Sequence, residues 1–138
     1  MAIPAAAQAF LDEKLFGTLA TVSSNGIPAQ VLVWYMREGD EILVASQSTT
    51  QKIKNIQKTG WASLSVSQGP RFLTVRGQAT VETDPAKTRE QYQRIVHRYL
   101  PPEAADKWIA DADANVEGMR NRVIIHIPAE HILAPERG

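Results

Sequence analysis

Apolar residues recur at every second position in several short runs of this chain, which is the spacing of a half-buried strand. The clearest run is Arg71–Thr83. In it Leu73, Val75, Gly77, Ala79 and Val81 face one way, and Phe72, Thr74, Arg76, Gln78, Thr80 and Glu82 the other. Leu15–Val22 is rich in strand formers and stops at Ser23-Ser24-Asn25-Gly26. Asn-Gly suits the positive φ angles of a tight hairpin turn. Ile27–Met36 follows, then a polar turn, then Ile42–Ser46, and these three segments predict an antiparallel meander. Trp61–Val66 precedes the Arg71 run across Ser67-Gln68-Gly69-Pro70, and Arg122–Ile127 with His131–Leu133 closes the strand pattern.

Ile27–Met36 breaks the alternation. Val31, Val33 and Tyr35 lie on one face, Leu32, Trp34 and Met36 on the other, and both faces are apolar. A strand of this kind is expected to be covered on both sides. A barrel whose outer wall meets a partner chain or a ligand provides such cover.

The period lengthens in three places. Gln51–Lys58 puts Ile53 and Ile56 on one face, Lys52 and Asn55 on another, and Lys54 with Lys58 on a third. Ser48 and Gln51 have capping-box spacing, and Gly60 suits the C-terminal stop. Asp84-Pro85 predicts a helix start, and Tyr92, Ile95, Val96 and Tyr99 form that helix's apolar stripe. Pro101-Pro102 ends it, and a second helix is expected from about Pro102 to Asn115. The fold class is α+β, with about six or seven mostly antiparallel strands and three helices. Residues 1–138 are expected to form a single domain.

Fifteen basic and fifteen acidic residues cancel, so no general field draws the chain to nucleic acid or to an anionic membrane. An anion site must therefore be local. There is no cysteine, which removes disulfides, thiolate ligands and thiol nucleophiles and fits a cytoplasmic protein. The N-terminal residues lack the pattern of a signal peptide, and no apolar run is long enough to span a bilayer.

One local anion site is visible. The first N–H groups of a helix lack intrahelical partners and carry partial positive charge. At the start of the 51–58 helix, the hydroxyls of Ser48, Thr49 and Thr50 are joined by Lys52, Lys54 and the Asn55 amide. The same residues also fit an ordinary capped surface helix with solvated lysines. Arg71 and Phe72 offer a planar cation and an aromatic face to a ring system, or pack as a loop arginine and a core phenylalanine. Trp34 and Tyr35 fit a core or dimer seam better than a cofactor stack. His97, His126 and His131 are scattered without metal-ligand spacing. No nucleophile elbow, Walker loop or dinucleotide fingerprint occurs. If the chain is an enzyme, a cofactor carries its reaction.

The order of the pieces resembles a known family. "LATVSSNGIPAQVLVWY", the hairpin after it, "QKIKNIQKTGWASLSV", "VRGQATV" and "RVIIHIPAEHIL" together cover nearly the whole chain. In that order they are similar to the flavin-binding split-barrel superfamily, the pyridoxamine-phosphate-oxidase-like fold. The likeness is greatest to its short members that use the deazaflavin F420. The resemblance implies a six-stranded, mostly antiparallel split barrel with flanking helices. It also implies a homodimer with two cofactors in clefts between subunits. By position, Thr49, Thr50, Lys52, Lys54 and Asn55 would meet the cofactor phosphate, and Gln30, Val31, Leu32 and Ser46 its ring. Pro70, Arg71 and Phe72 would come from the partner subunit. Many members carry Arg two residues before the lysine, where this chain has Thr50. The chain stops at Gly138, without the C-terminal extension of true pyridoxamine-phosphate oxidases, so that activity is not expected.

The implied function is an F420-dependent oxidoreductase passing hydride to an electron-poor small molecule, with Tyr35 or water as proton source. Lys52→Ala is expected to weaken cofactor binding far more than Trp108→Ala. FMN is the alternative cofactor, giving a flavin reductase or oxidase. A non-catalytic flavin or tetrapyrrole carrier is the reading outside enzymology.

Overall fold

The computed structural model describes residues 2–134, apart from the side chain of Val116. The expectation drawn from the last four residues lies outside them. The elements run α1 (Ala5–Leu11), β1 (Gly17–Val22), β2 (Pro28–Val33), β3 (Tyr35–Glu38), β4 (Glu41–Gln47), α2 (Gln51–Thr59), β5 (Trp61–Gln68), β6 (Arg71–Gln78) and β7 (Thr80–Glu82). After them come α3 (Pro85–Tyr99), α4 (Pro102–Ala114), α5 (Val116–Arg120), β8 (Arg122–Pro128) and β9 (His131–Leu133).

The nine strands form two sheets, in the orders β2-β1-β5-β6-β9 and β3-β4-β8-β7. Every strand pairing is antiparallel. The expected α+β class holds, with a mostly antiparallel split barrel and flanking helices. The counts differ from expectation, with nine strands among the described residues instead of six or seven and five helices instead of three.

The extra strands come from corners. Ile27–Met36 reads as one run but breaks at Trp34, where the chain leaves β1 and joins β4. Arg71–Thr83 breaks at Ala79, whose N–H is held by the Gly60 carbonyl at 2.7 Å, and β7 then pairs with β8. Strands that switch sheets at bends make the corners of packed antiparallel sheets. Periodicity continues through such bends, so it does not reveal them.

Two cores result. The inner one lies between the sheets and holds Leu19, Tyr35, Ile42, Val44, Leu64, Val75, Ile125 and Ile127, with Ile53 and Ile56 of α2. The second lies outside β3, β4 and β8, where α3 and α4 cover Met36, Leu43 and Ile124 with Tyr92, Ile95, Val96 and Ile109. This corrects the reading of the doubly apolar strand at Trp34 and Met36 only. The chain's own helices cover Trp34 and Met36, while Val31 and Leu32 stay 42% and 66% exposed.

The helix termini follow their signals in part. Asp84 caps α3 through the Lys87 amide at 3.0 Å, with Pro85 at the first position. Gly60 ends α2 at φ +83°, where L side chains are strained. The helix α1 was not expected, because its seven residues carry neither a side-chain cap nor a charged first turn. Distant residues hold it: the Tyr35 hydroxyl donates to Leu11 O at 2.8 Å, and Arg98 donates to the Leu11 and Glu13 carbonyls.

Candidate functional site

The site is built where β4 gives way to α2. The Ser48 N–H donates to the Asn121 carbonyl at 2.7 Å, fixing this turn to the residue before β8. The Thr50 hydroxyl lies 3.0 Å from Ser46 Oγ and donates to Gln47 O at 3.1 Å. These bonds make Thr50 the N-cap residue, so the Ser48–Gln51 capping box does not form. Gln51 instead donates forward to Asn55 Oδ1 at 2.8 Å. No side chain caps the first turn of α2. Its amides keep their affinity for an anion.

Two depressions meet beside this turn, sharing Val31 and Lys52. The smaller, about 230 Å³, takes in Gln30, Val31, Thr50 and Lys52 with Thr21 and Leu19 below. The larger, about 380 Å³, is lined by Val31, Leu32 and Trp34 at the end of β2 and by Tyr92, Ile95, Val96 and Trp108 of α3 and α4. Ala45, Lys52 and Arg122 complete it, and no carboxylate lines it. A volume of this order accepts a small organic ligand.

The aromatic wall is ordered by its own contacts. Trp34 stacks on Tyr99 with ring centroids 5.0 Å apart and meets Trp108 at 5.5 Å. Trp108 Nε1 donates to the Tyr92 hydroxyl at 3.0 Å, and Arg122 lies over the Tyr92 ring at 4.5 Å.

The charges are one-sided. Burial pulls the Lys52 ammonium below its ordinary pKa, and the Arg122 charge adds to the effect. Arg122 Nε is buried without a hydrogen-bond partner. Neither cation has an acidic partner among the described residues. Two neighbouring cations without a counter-charge disfavour each other, and an anion between them relieves that cost.

The expected site residues separate into groups. Gln30, Val31, Leu32, Thr50 and Lys52 line the two depressions, and Ser46 is tied to Thr50. Ser48 and Thr49 sit in the turn, and Lys54 is exposed outside both depressions. Asn55 is 2% exposed, and its amide is occupied by Thr21 and Gln51, so it braces α2 against β1. Pro70, Arg71 and Phe72 lie at the far β5–β6 turn, where Arg71 forks onto Glu13 at 2.8 and 2.9 Å. Tyr35 is fully buried in the inner core, and burial pushes its hydroxyl up to about 12, which makes it a poor proton source. Trp108 lines the larger depression and is therefore no remote comparison for Lys52.

Sequence reasoning missed Arg122, Tyr92 and Trp108 as site residues. Arg122 reads as an outward residue of the last strand, beside Ile124 and His126. Its place next to α2 follows from the pairing of β4 with β8, which sets Gln47 opposite Arg122. Among the described residues, no group of three His, Cys, Asp or Glu side chains is placed to hold a metal ion. His126 Nδ1 lies 3.8 Å from Glu41.

Comparison with known proteins agrees with this architecture. An F420H2-dependent biliverdin reductase of Mycobacterium tuberculosis (strain CDC 1551 / Oshkosh) is 27% identical over 129 residues, covering 92% of this chain and 84% of the relative. A solved structure described as an F420 reductase superposes with a TM-score of 0.73 at 26% identity, covering 95% of this chain and 98% of that one. A conserved hypothetical protein from Mycobacterium tuberculosis shares the fold, with a TM-score of 0.79 at 21% identity over 97% of this chain and 84% of that one. No helix among the described residues is long and apolar enough to cross a membrane. The pyridoxamine 5'-phosphate oxidase family model matches residues 3–134, from the buried Ile3 to the end of β9, and the chain belongs to that family.

Proposed function

We propose that residues 1–138 form a single-domain cytoplasmic oxidoreductase that binds the deazaflavin F420 and reduces a small-molecule acceptor. The observation that carries this reading is Lys52, which has no acidic partner among the described residues, in the uncapped first turn of α2 and on a cleft that no carboxylate lines. An anionic cofactor suits that donor set. Thr50, Lys52 and the first amides of α2 would hold its phosphate, with Ser48, Thr49 and Lys54 at the rim. Gln30, Val31, Leu32 and Ser46 would lie against its ring. Asn55 keeps the helix start in place through Thr21.

When bound, F420 supplies two-electron hydride chemistry. The chain's own residues bind, orient and exclude water. No carboxylic acid among the described residues lines this cleft, and water is the proton source in this reading. The names of two relatives, one an F420H2-dependent biliverdin reductase and the other an F420 reductase, support the deazaflavin over FMN. The exposed Val31, Leu32 and Phe72 support a homodimer, in which Pro70, Arg71 and Phe72 would reach the cleft of a second copy.

The test is a titration of ligand-free protein with F420 and, separately, FMN, followed by tryptophan fluorescence at several salt concentrations. F420 is expected to bind more tightly and with the steeper salt dependence, since it carries more negative charge. Lys52→Ala is expected to weaken it by at least about tenfold, the loss of one charge-assisted contact. Preference for FMN, or equal F420 affinity in wild type and Lys52→Ala, would overturn the reading.

A further inference from the structure

Lys52 borders both depressions, whereas Arg122 borders only the larger. The two cations are therefore not equivalent. Lys52 faces the uncapped start of α2, where the phosphate of the proposed cofactor belongs. Arg122 sits at the aromatic end, its guanidinium carbon 4.5 Å from the centre of the Tyr92 ring, which Trp108 holds by its indole N–H.

The surroundings of Arg122 restrict what it can bind. Its guanidinium makes no ion pair or side-chain hydrogen bond among the described residues, and its Nε is buried. Its guanidinium carbon lies over the Tyr92 ring, and a fork with no partner among the described residues suits a planar oxyanion. Apart from Arg122, Lys52 and the Tyr92 hydroxyl, the side chains that line the larger depression are apolar or indole. Leu32 is 66% exposed and Trp108 50% exposed, and they come from separate elements, β2 and α4. Ala45 also lines the depression. Exposed apolar walls beside Arg122 and Lys52 suit a flat conjugated ring that carries an acid group.

We infer that the larger depression is the acceptor subsite, and that it takes a flat aromatic carboxylate whose acid group pairs with Arg122 while its ring lies against Trp108 and Leu32. The inference rests on the cofactor reading for the use of the subsite in reduction, but not for the binding itself. Arg122 acts here as a specificity residue. It selects acidic acceptors over neutral ones of the same shape, because a neutral ligand leaves the guanidinium without a counter-charge.

The probes are anthraquinone-2-carboxylate and its neutral carboxamide, titrated against the full chain by tryptophan quenching, with and without saturating F420. Wild type is expected to prefer the carboxylate by about tenfold or more, the discrimination of one charge-assisted pair. Arg122→Gln is expected to lose that preference, with carboxamide binding and F420 affinity both within about twofold of wild type, since the ring contacts and Lys52 remain. Arg122→Lys keeps the charge without the fork and is expected to restore part of the preference, which separates recognition from folding. Trp108→Ala is expected to weaken both probes alike. Absence of a carboxylate preference in wild type would overturn the inference. So would an Arg122→Gln variant that loses F420 but keeps the preference, since Arg122 would then belong to the cofactor. If F420 binds to no form of the protein while the preference and its loss persist, the cofactor reading fails and this one stands.

Discussion

The hydroxyl of Tyr35, at the start of β3, donates a hydrogen bond of 2.8 Å to the carbonyl of Leu11, the last residue of α1. Both residues are fully buried, and Arg98 donates to the same carbonyl while its guanidinium lies 5.0 Å from the Tyr35 ring. The contact joins the otherwise weakly signalled α1 to the inner core.

Burial is the main cause that raises the Tyr35 hydroxyl to about 12, against the ordinary 10.0. The unfolded chain loses this proton first as pH rises. The stabilisation is therefore complete below pH 10 and is lost as pH climbs to about 12, on the order of 2–3 kcal/mol. Tyr35→Phe removes this alkaline loss and costs about 1 kcal/mol at neutral pH, because Leu11 O keeps Arg98 as a donor. Urea unfolding at a series of pH values, with phenolate absorbance in parallel, measures both. A Tyr35 that ionises near 10 would contradict the buried contact.

Lys52 carries the opposite sign. Its pKa in the fold is lowered, first by burial and then by Arg122, so the unfolded chain holds the proton more tightly. Its charge therefore costs stability at neutral pH, and that cost is relieved as pH rises toward the ordinary 10.5. Ligand-free Lys52→Met is expected to be at least as stable as wild type at pH 7, with the difference shrinking toward pH 10. Added phosphate should raise the melting temperature of wild type and not of the variant. A variant clearly less stable at pH 7 would mean that the ammonium is paired.

Asn55 bridges Gln51 and Thr21 from a fully enclosed position. Asn55→Ala leaves the Thr21 hydroxyl without its donor and is expected to cost about 1–3 kcal/mol. The exposed Lys54→Ala should stay within about 0.5 kcal/mol of wild type. Chemical denaturation of the two variants decides the point. Unchanged stability in Asn55→Ala together with a large loss of F420 affinity would make Asn55 a direct ligand contact instead of a brace.

Gly77 marks a close crossing of the two sheets. A Cβ there would fall 2.0 Å from the carbonyl oxygen of Pro128, a backbone atom that cannot swing aside. Gly77→Ala is expected to destabilise by at least about 1–3 kcal/mol, by forcing β6 away from the end of β8. A denaturation midpoint equal to wild type would show that this crossing tolerates a wider spacing.

Much of the fold was legible because local signals and tertiary demands agree. The β1–β2 turn falls at Ser23–Gly26 as expected, although Gly26 alone takes a positive φ, +82°, and the Tyr92-Ile95-Val96-Tyr99 stripe is the buried face of α3. The corners at Trp34 and Ala79 were not legible, since a strand that changes sheets keeps its period of two. Half of the site was legible for a related reason. Thr50 and Lys52 belong to a local strand-to-helix signature, whereas Arg122 reaches them only through the register of β4 on β8.

The order of amino acids by itself determined the strand and helix types, the absence of cysteine chemistry, and a cationic helix start after β4. Each of these depends on neighbours in the chain, through propensity, period and capping. The tertiary structure alone decided that Lys52 and Arg122 share one cleft, that Trp108 and Tyr92 wall it, and that Asn55 turns inward. Those facts depend on which distant strands pair and which helix covers them, and a period of two or of three and a half holds no record of that.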